Sequence, residues 1–427
     1  MQKSSRIRKG DTAEIRQAKR ALKRRLRVKF GHSTRKQRQA ILQQNITSFS
    51  PQNSLNKGRS YAKMVEHFCV VNKMGQWNKA RQRSISLSAD FSLYQDPDKV
   101  LKCLLHLLYD AKKFKEYPTL RYRGKVCFGA LYLLDNMCWE IAQHRGWQLK
   151  LADMPTIEQE KLAKLRSFET GAYKSSSAYM LNEAVYINRK AGLSAQTYKR
   201  KSAELRQLIE DAVSETTGQP YHLSQDANTA IYSAIGEQFD NVLEHVPDAE
   251  TAQLCCFYDR TIKELTILIY NFGPTIAENI KSSRLPPQVS GPVRDLIAHH
   301  TKNYWFVLAK PGRAFTEENA LTLLALQEGI SSRLEYDETR GFGLLDFIEY
   351  CFALTSKARI AIISGTTAIS IDNTYPIGRR HVFGRERRIL ALNLSNNLMV
   401  RPDSEKIRTL SVKFLGVIIE TTIPLDV

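Results

Sequence analysis

Glu237, Asn241, Glu244 and His245 fall on one side of a helical wheel drawn at about 100° per residue through EQFDNVLEH, while Ile231, Ile235, Phe239, Val242 and Val246 crowd the other. The apolar stripe anchors such a helix, and the opposite face is left for chemistry. A carboxylate four residues before an amide can set a general base beside a metal-binding oxygen in one cleft. Taken alone, Glu-x-x-x-Asn is also the solvated face of many amphipathic helices, so its weight depends on the motifs downstream of it.

Two strands come next, AQLCCFYD (252–259) and ELTILIYN (264–271), and the second runs into Asn271-Phe272-Gly273-Pro274-Thr275-Ile276. A polar side chain at a strand end can hydrogen-bond a planar ligand edge, and a glycine two positions on lets the backbone come close. An ordinary Gly-Pro turn accounts for the same residues. After an irregular section from 281 to 339 with a helix at 317–327, Gly341-Phe342-Gly343-Leu344 opens an apolar helix to 354. Glycines at a helix N-terminus expose unpaired N–H groups to an anion, a cradle for phosphate, although a glycine pair also permits close packing. Strands are expected at 358–364, 367–372, 388–394 and 410–423, the last with Gly416 inside it.

The chain of 427 residues is too long for one ordinary core, and 43% hydrophobic with 25% charged residues describes a globular protein. Seven cysteines form no C-x-x-C pair and sit mostly in apolar runs, which excludes a disulfide framework or zinc site and predicts buried free thiols in a reducing compartment. No apolar run approaches the length of a membrane span, so a cytoplasmic protein with no membrane partner is expected.

The formal net charge of +20 points to a polyanionic partner, nucleic acid or an anionic surface, and it is unevenly spread. Residues 1–40 hold fifteen Lys and Arg against Asp11 and Glu14. This basic arm (1–45), with Arg20, Lys23, Arg24, Arg25 and Arg27 at its centre, is expected to grip the phosphate backbone of DNA or RNA; a solubilising tail is the alternative. Residues 46–84 read as a polar linker with some local structure. A small α/β domain occupies 85–153, with strands at 83–93, 122–127 and 147–153 and helices at 96–114 and 129–143, and the order of its elements loosely resembles a STAS-like domain. Residues 154–216 read as a helical connector or dimerisation segment.

In order and separation, the motifs of residues 217–427 resemble the GHKL, or Bergerat-fold, ATPases, which include Hsp90-like chaperones, gyrase-type ATPases, histidine kinases and anti-sigma serine kinases. Their Asn-box helix E-x-x-x-N matches Glu237–Asn241, D-x-G-x-G matches Asn271–Thr275, G-x-G-[LI] matches Gly341–Leu344, and the closing Gly-Thr strand matches Gly416-Val417, with Gly365-Thr366 as the alternative. The resemblance implies a Bergerat-type α/β sandwich, a mixed sheet covered by helices, that binds ATP and Mg²⁺. It implies that Asn241 coordinates Mg²⁺ and that Glu237 orients or deprotonates the attacking water. Asn271, with Gly273 and Thr275, would meet adenine; Gly341, Gly343 and Leu344 would form the phosphate lid, and Arg333 and Arg340 would contact the γ-phosphate or stand as exposed charges. His245 would lie near the phosphates or pack. Asn271 replaces the family's Asp, Thr275 its second glycine and Val417 its Thr, which weakens adenine reading more than Mg-phosphate binding.

Three functions are compatible with this sequence. The first is a Mg-ATP-dependent switch with slow hydrolysis, coupled to nucleic-acid or protein partners, a second copy of the chain among them. The second is an anti-sigma-type serine kinase; a histidine kinase is disfavoured because 157–215 contains no histidine. The third is a non-catalytic nucleic-acid scaffold using the arm and a loop carrying Arg379, Arg380, Arg385, Arg387 and Arg388.

Overall fold

The computed structural model describes residues 61–72, 84–88, 91–114, 119–123, 127–142, 151–152, 180–186, 195–229, 252–259, 262–282, 285, 287–302, 315–330 and 343–425. All lie within the unit Asn56–Val427; the basic arm, with Arg20, Lys23, Arg24, Arg25 and Arg27, lies outside the described residues.

In chain order the elements are α1 (Tyr61–Val71), β1 (Ser84–Ser88), α2 (Pro97–Phe114), β2 (Thr119–Arg123), α3 (Phe128–Ala142), β3 (Leu151–Ala152), β4 (Met180–Tyr186), α4 (Ala195–Thr217), β5 (Ala252–Asp259), β6 (Glu264–Phe272), α5 (Ile276–Ser282), α6 (Pro287–Lys302), α7 (Glu317–Leu324), α8 (Gly343–Leu354), β7 (Arg359–Ile371), β8 (Gly378–Val382), β9 (Arg385–Ile389) and β10 (Ile407–Pro424). Among the described residues these strands form three sheets. β1-β2-β3 is parallel, β8-β9 is a hairpin, and the central five-stranded sheet runs β4-β5-β6-β10-β7 with every neighbouring pair antiparallel.

Period-two alternation divides the central sheet into two apolar faces. On β6, Leu265 and Ile267 join one core cluster, which takes in Leu208, Ile209 and Val213 of α4 and the buried residues of α5 to α8. Leu268, Tyr270 and Phe272 point the opposite way and pack with α1, α2 and α3. Helices therefore cover both faces. Phe128 at the start of α3 stacks on Phe257 of β5 with centroids 3.9 Å apart, and Phe68 of α1 meets Phe414 of β10 edge-on at 5.9 Å. Polar ties cross the same boundary: Asn72 exchanges two hydrogen bonds with the Lys413 backbone, 2.8 and 2.9 Å, and Asp98 accepts from the Ser411 N–H at 2.8 Å. The segment 85–142 thus shares one core with the central sheet.

Several expectations need correction. The central sheet is antiparallel throughout where a mixed sheet was expected. Within the segment read as a helical connector, Met180–Tyr186 is an edge strand paired with β5, because the free edge of β5 offers a ladder that local periodicity cannot reveal. Within the stretch read as a linker, Tyr61–Val71 is helical, with Met64, Val65 and Phe68 buried. The strands expected at 358–364 and 367–372 are a single strand, β7, in which Gly365 takes φ +61°. The arginine-rich loop is the hairpin β8-β9, closed through Phe383 and Gly384, both at positive φ as a two-residue turn requires. Cys69, Cys103, Cys255, Cys256 and Cys351 are buried free thiols. Among the described residues no helix is long and apolar enough to cross a membrane.

Candidate functional site

The end of β6 and the loop after it are fixed by neighbours far away in sequence. β10 pairs with β6 so that Val417 lies opposite Asn271 and Gly416 opposite Phe272. Gly416 sits against the Asn271 carbonyl, and the Gly273 N–H donates to the Leu415 carbonyl at 3.0 Å. Asn271 is buried and, by alternation from Leu265 and Ile267, belongs to the sheet face that carries α4 to α8. Ile276 and Val417 pack on that layer, as does Leu344 from the first turn of α8.

Thr275 begins α5 as its cap. Its hydroxyl accepts from the Glu278 N–H at 3.1 Å, and the Glu278 carboxylate accepts from the Thr275 N–H at 2.9 Å, a reciprocal pair that satisfies two otherwise unpaired donors. Lys413 of β10 grips the other Glu278 oxygen at 3.1 Å, and Ser364 of β7 accepts from the Ile276 N–H at 2.8 Å. The side chain of Thr275 is thus committed to shaping the loop.

A second anchor lies beside it. Thr316 caps α7 reciprocally with Asn319, and Glu318 accepts from both the hydroxyl and the backbone N–H of Thr366. A Cβ at Gly365 would collide with the Glu318 carboxylate, which thus lies directly over the β7 backbone at its left-handed residue. Sequence reasoning did not single out Glu278, Glu318, Ser364 or Lys413. The signal available for Glu318 was its place just after a capping threonine; the others are brought in only by sheet pairing.

The remaining site residues divide in two. α8 opens at Gly343, as the glycine motif predicts. The chain also enters a helix at 225–229, where the Ser224 hydroxyl accepts from the Ala227 N–H at 3.1 Å. Glu237, Asn241 and His245, and equally Arg333, Arg340 and Gly341, lie outside the described residues. Among the described residues no group of three or more His, Cys, Asp or Glu side chains is placed to hold a metal ion.

An open cleft of about 740 Å³ lies elsewhere, between the start of α2 and strands β7 and β10. Its charges are turned on one another: Asp372 accepts from Tyr94 at 2.8 Å and from Lys406 at 2.6 Å, while Arg408 donates to the Tyr94 and Gln95 carbonyls at 2.8 and 2.7 Å. Burial works to raise the Asp372 carboxyl, but the bonds from Lys406, Thr374 and Tyr94 outweigh it and hold the group down to about 2. Such a cleft is a braced joint between layers. Comparison with protein-family models, curated proteins and solved structures finds no match for this chain.

Proposed function

We propose that the chain binds Mg-ATP on the α4 to α8 face of its central sheet, hydrolyses it slowly, and uses the nucleotide as a conformational switch. In this reading that layer is a Bergerat-type sandwich, and the upstream parallel sheet with its helices is STAS-like. The observation that carries the proposal is the juxtaposition of motif elements far apart in sequence: Asn271 pairs in register with Val417, Gly416 packs on its carbonyl, and the helix opening at Gly343 lies in the layer that Asn271 faces. The ordered resemblance to GHKL ATPases supports it.

In the proposed site the Asn271 amide, able to donate and accept, meets the adenine edge. The α8 N-terminus and the Gly341–Gly343 backbone offer N–H groups to the phosphates, with Arg333 and Arg340 adding charge. Bound Mg²⁺ supplies neutralisation of the phosphate oxygens, with the Asn241 side-chain oxygen as its protein ligand. Glu237 accepts the proton of the attacking water. Thr275, whose hydroxyl is occupied by the α5 cap, acts by holding the loop that Gly273 begins.

Steady-state phosphate release by the full chain tests this. Wild type should turn over slowly and Glu237→Ala should not, while retaining nucleotide binding. Equal turnover in the two proteins would remove the assignment of Glu237; label appearing on a protein substrate with no free phosphate would favour the serine-kinase alternative.

A further inference from the structure

The turn from Asn393 to Arg401 holds aliphatic side chains in water and keeps them there by construction. Leu394 is 96% exposed, and Met399 and Val400 are 45% exposed each. The turn is not loose. The buried Asn393 amide donates to the carbonyls of Ala391, Asn397 and Val400 at 3.3, 2.9 and 3.0 Å, and its oxygen accepts from the Ser395 hydroxyl and the Asn397 N–H. His300 of α6 meets the Leu398 carbonyl at 2.7 Å from beneath. Leu392 and Asn396 are both held in the left-handed region, φ +54° and +43°, a strained state that persists only where surroundings over-determine it.

The asparagine side chains of this turn bond back to the turn and the strand before it. Asn396 accepts from the Ala391 N–H at 2.9 Å and donates to the Ile389 carbonyl at 3.2 Å, and Asn397 accepts from the Met399 N–H at 2.9 Å. Leu394, Met399, Val400 and Arg401 face outward, together with Ser395 and Asn397. Arg380 of β8 lies along the turn, donating to the Ser395 carbonyl at 3.2 Å, and Arg401 is exposed at its end. Arg379 and Arg385 of the hairpin are exposed as well, whereas Arg387 and Arg388 are turned inward. In the same hairpin Phe383 packs against the core beneath the Arg387 guanidinium, and the His381 imidazole is exposed.

We infer that this turn is a docking surface for an anionic phospholipid bilayer, with Leu394, Met399 and Val400 entering the acyl boundary and Arg380 and Arg401 meeting headgroup phosphates. A nucleic acid would share the phosphates with these arginines, but it has no hydrocarbon layer to receive Leu394, Met399 and Val400. A rigid aliphatic tip ringed by arginine matches an interface that is hydrocarbon within and anionic at its rim. The excess of positive charge over the chain as a whole adds to that attraction.

Sedimentation of the full chain with phosphatidylcholine vesicles containing about 30 mol% phosphatidylserine tests the inference. Wild type should bind these and bind pure phosphatidylcholine far less. Leu394→Asp, at a side chain that contacts almost nothing, should keep the thermal midpoint and lose about tenfold or more in vesicle affinity; Val400→Ser should lose a smaller factor. All the variants carry the same basic arm, so its attraction cancels in the comparison, most cleanly at about 0.5 M salt. Wild-type vesicle affinity in Leu394→Asp would overturn the inference, as would a loss seen with a DNA duplex but not with vesicles.

Discussion

Gly416 and Asn271 touch backbone to backbone: the Cβ of any larger residue at 416 would overlap the Asn271 carbonyl oxygen, and Gly416 itself takes φ +148°. The position therefore requires glycine on two grounds, conformation and space. Gly416→Ala should destabilise the chain by about 2–4 kcal/mol, read as a lower urea midpoint. It should also weaken nucleotide binding, because Asn271 would move with its carbonyl. A midpoint within error of wild type would show that β10 and β6 do not meet in this register.

Glu420 predicts a pH dependence opposite to that of ordinary acid denaturation. It lies on β10, 2% exposed, with neither carboxylate oxygen hydrogen-bonded, close under Gly129 at the start of α3. Burial, aided by the nearby Glu264 and opposed by Arg359, pushes its carboxyl up to about 8. The folded chain thus keeps a proton that the unfolded chain releases at about pH 4.3. That contribution is complete below the unfolded value and is lost as pH rises through about 8. Glu420→Gln should match wild type below about pH 4 and exceed it above about pH 8, by an amount on the order of a few kcal/mol. Parallel stability curves for the two proteins would contradict this placement.

Arg388 ties the hairpin to the helical layer by pairing with Glu328 at 2.7 Å, Asp346 at 2.7 Å and Glu349 at 2.8 Å. Removing it leaves three carboxylates close together, so Arg388→Ala should cost about 1–3 kcal/mol. Burial tends to raise the Glu328 carboxyl, but the side-chain and backbone bonds from Arg388 hold it below its ordinary value. Its contribution is present above that ordinary value and is lost as pH falls through the lower folded one, so the variant should show a flatter acid limb. Arg387 is buried and donates to the Glu328 and Gly329 carbonyls, so neither of these arginines is offered to a polyanion.

Deleting residues 1–40 should flatten the salt dependence of DNA or RNA binding, since the slope counts the phosphates neutralised. The fifteen-to-two charge count motivates the prediction. An unchanged slope would reduce the arm to a solubilising segment.

How much of this was readable in the sequence depended on whether the deciding contacts were local. Strands β5 and β6 follow their alternation, α2 its apolar stripe and α8 its opening glycines, each within a residue or two. β4 escaped because Met180–Tyr186 becomes a strand only when paired with β5. α1 escaped because its apolar run is short and flanked by polar sequence, and the surface that Met64, Val65 and Phe68 cover comes from α2, α3 and β10, far along the chain. Charge disguised the β8-β9 hairpin. At the candidate site, the order of motifs showed Asn271, Gly416 and Gly343; the clasp of Glu278, Lys413, Glu318 and Thr366 exists only once the strands are aligned.

Titration calorimetry of the full chain with a non-hydrolysable ATP analogue, with and without Mg²⁺, bears most directly on nucleotide binding at this sheet face. Saturable binding at one site per chain, dependent on Mg²⁺ and weakened by Asn241→Ala, is the predicted result. No heat of binding at analogue concentrations up to about 1 mM, or binding indifferent to both the metal and Asn241, would contradict it.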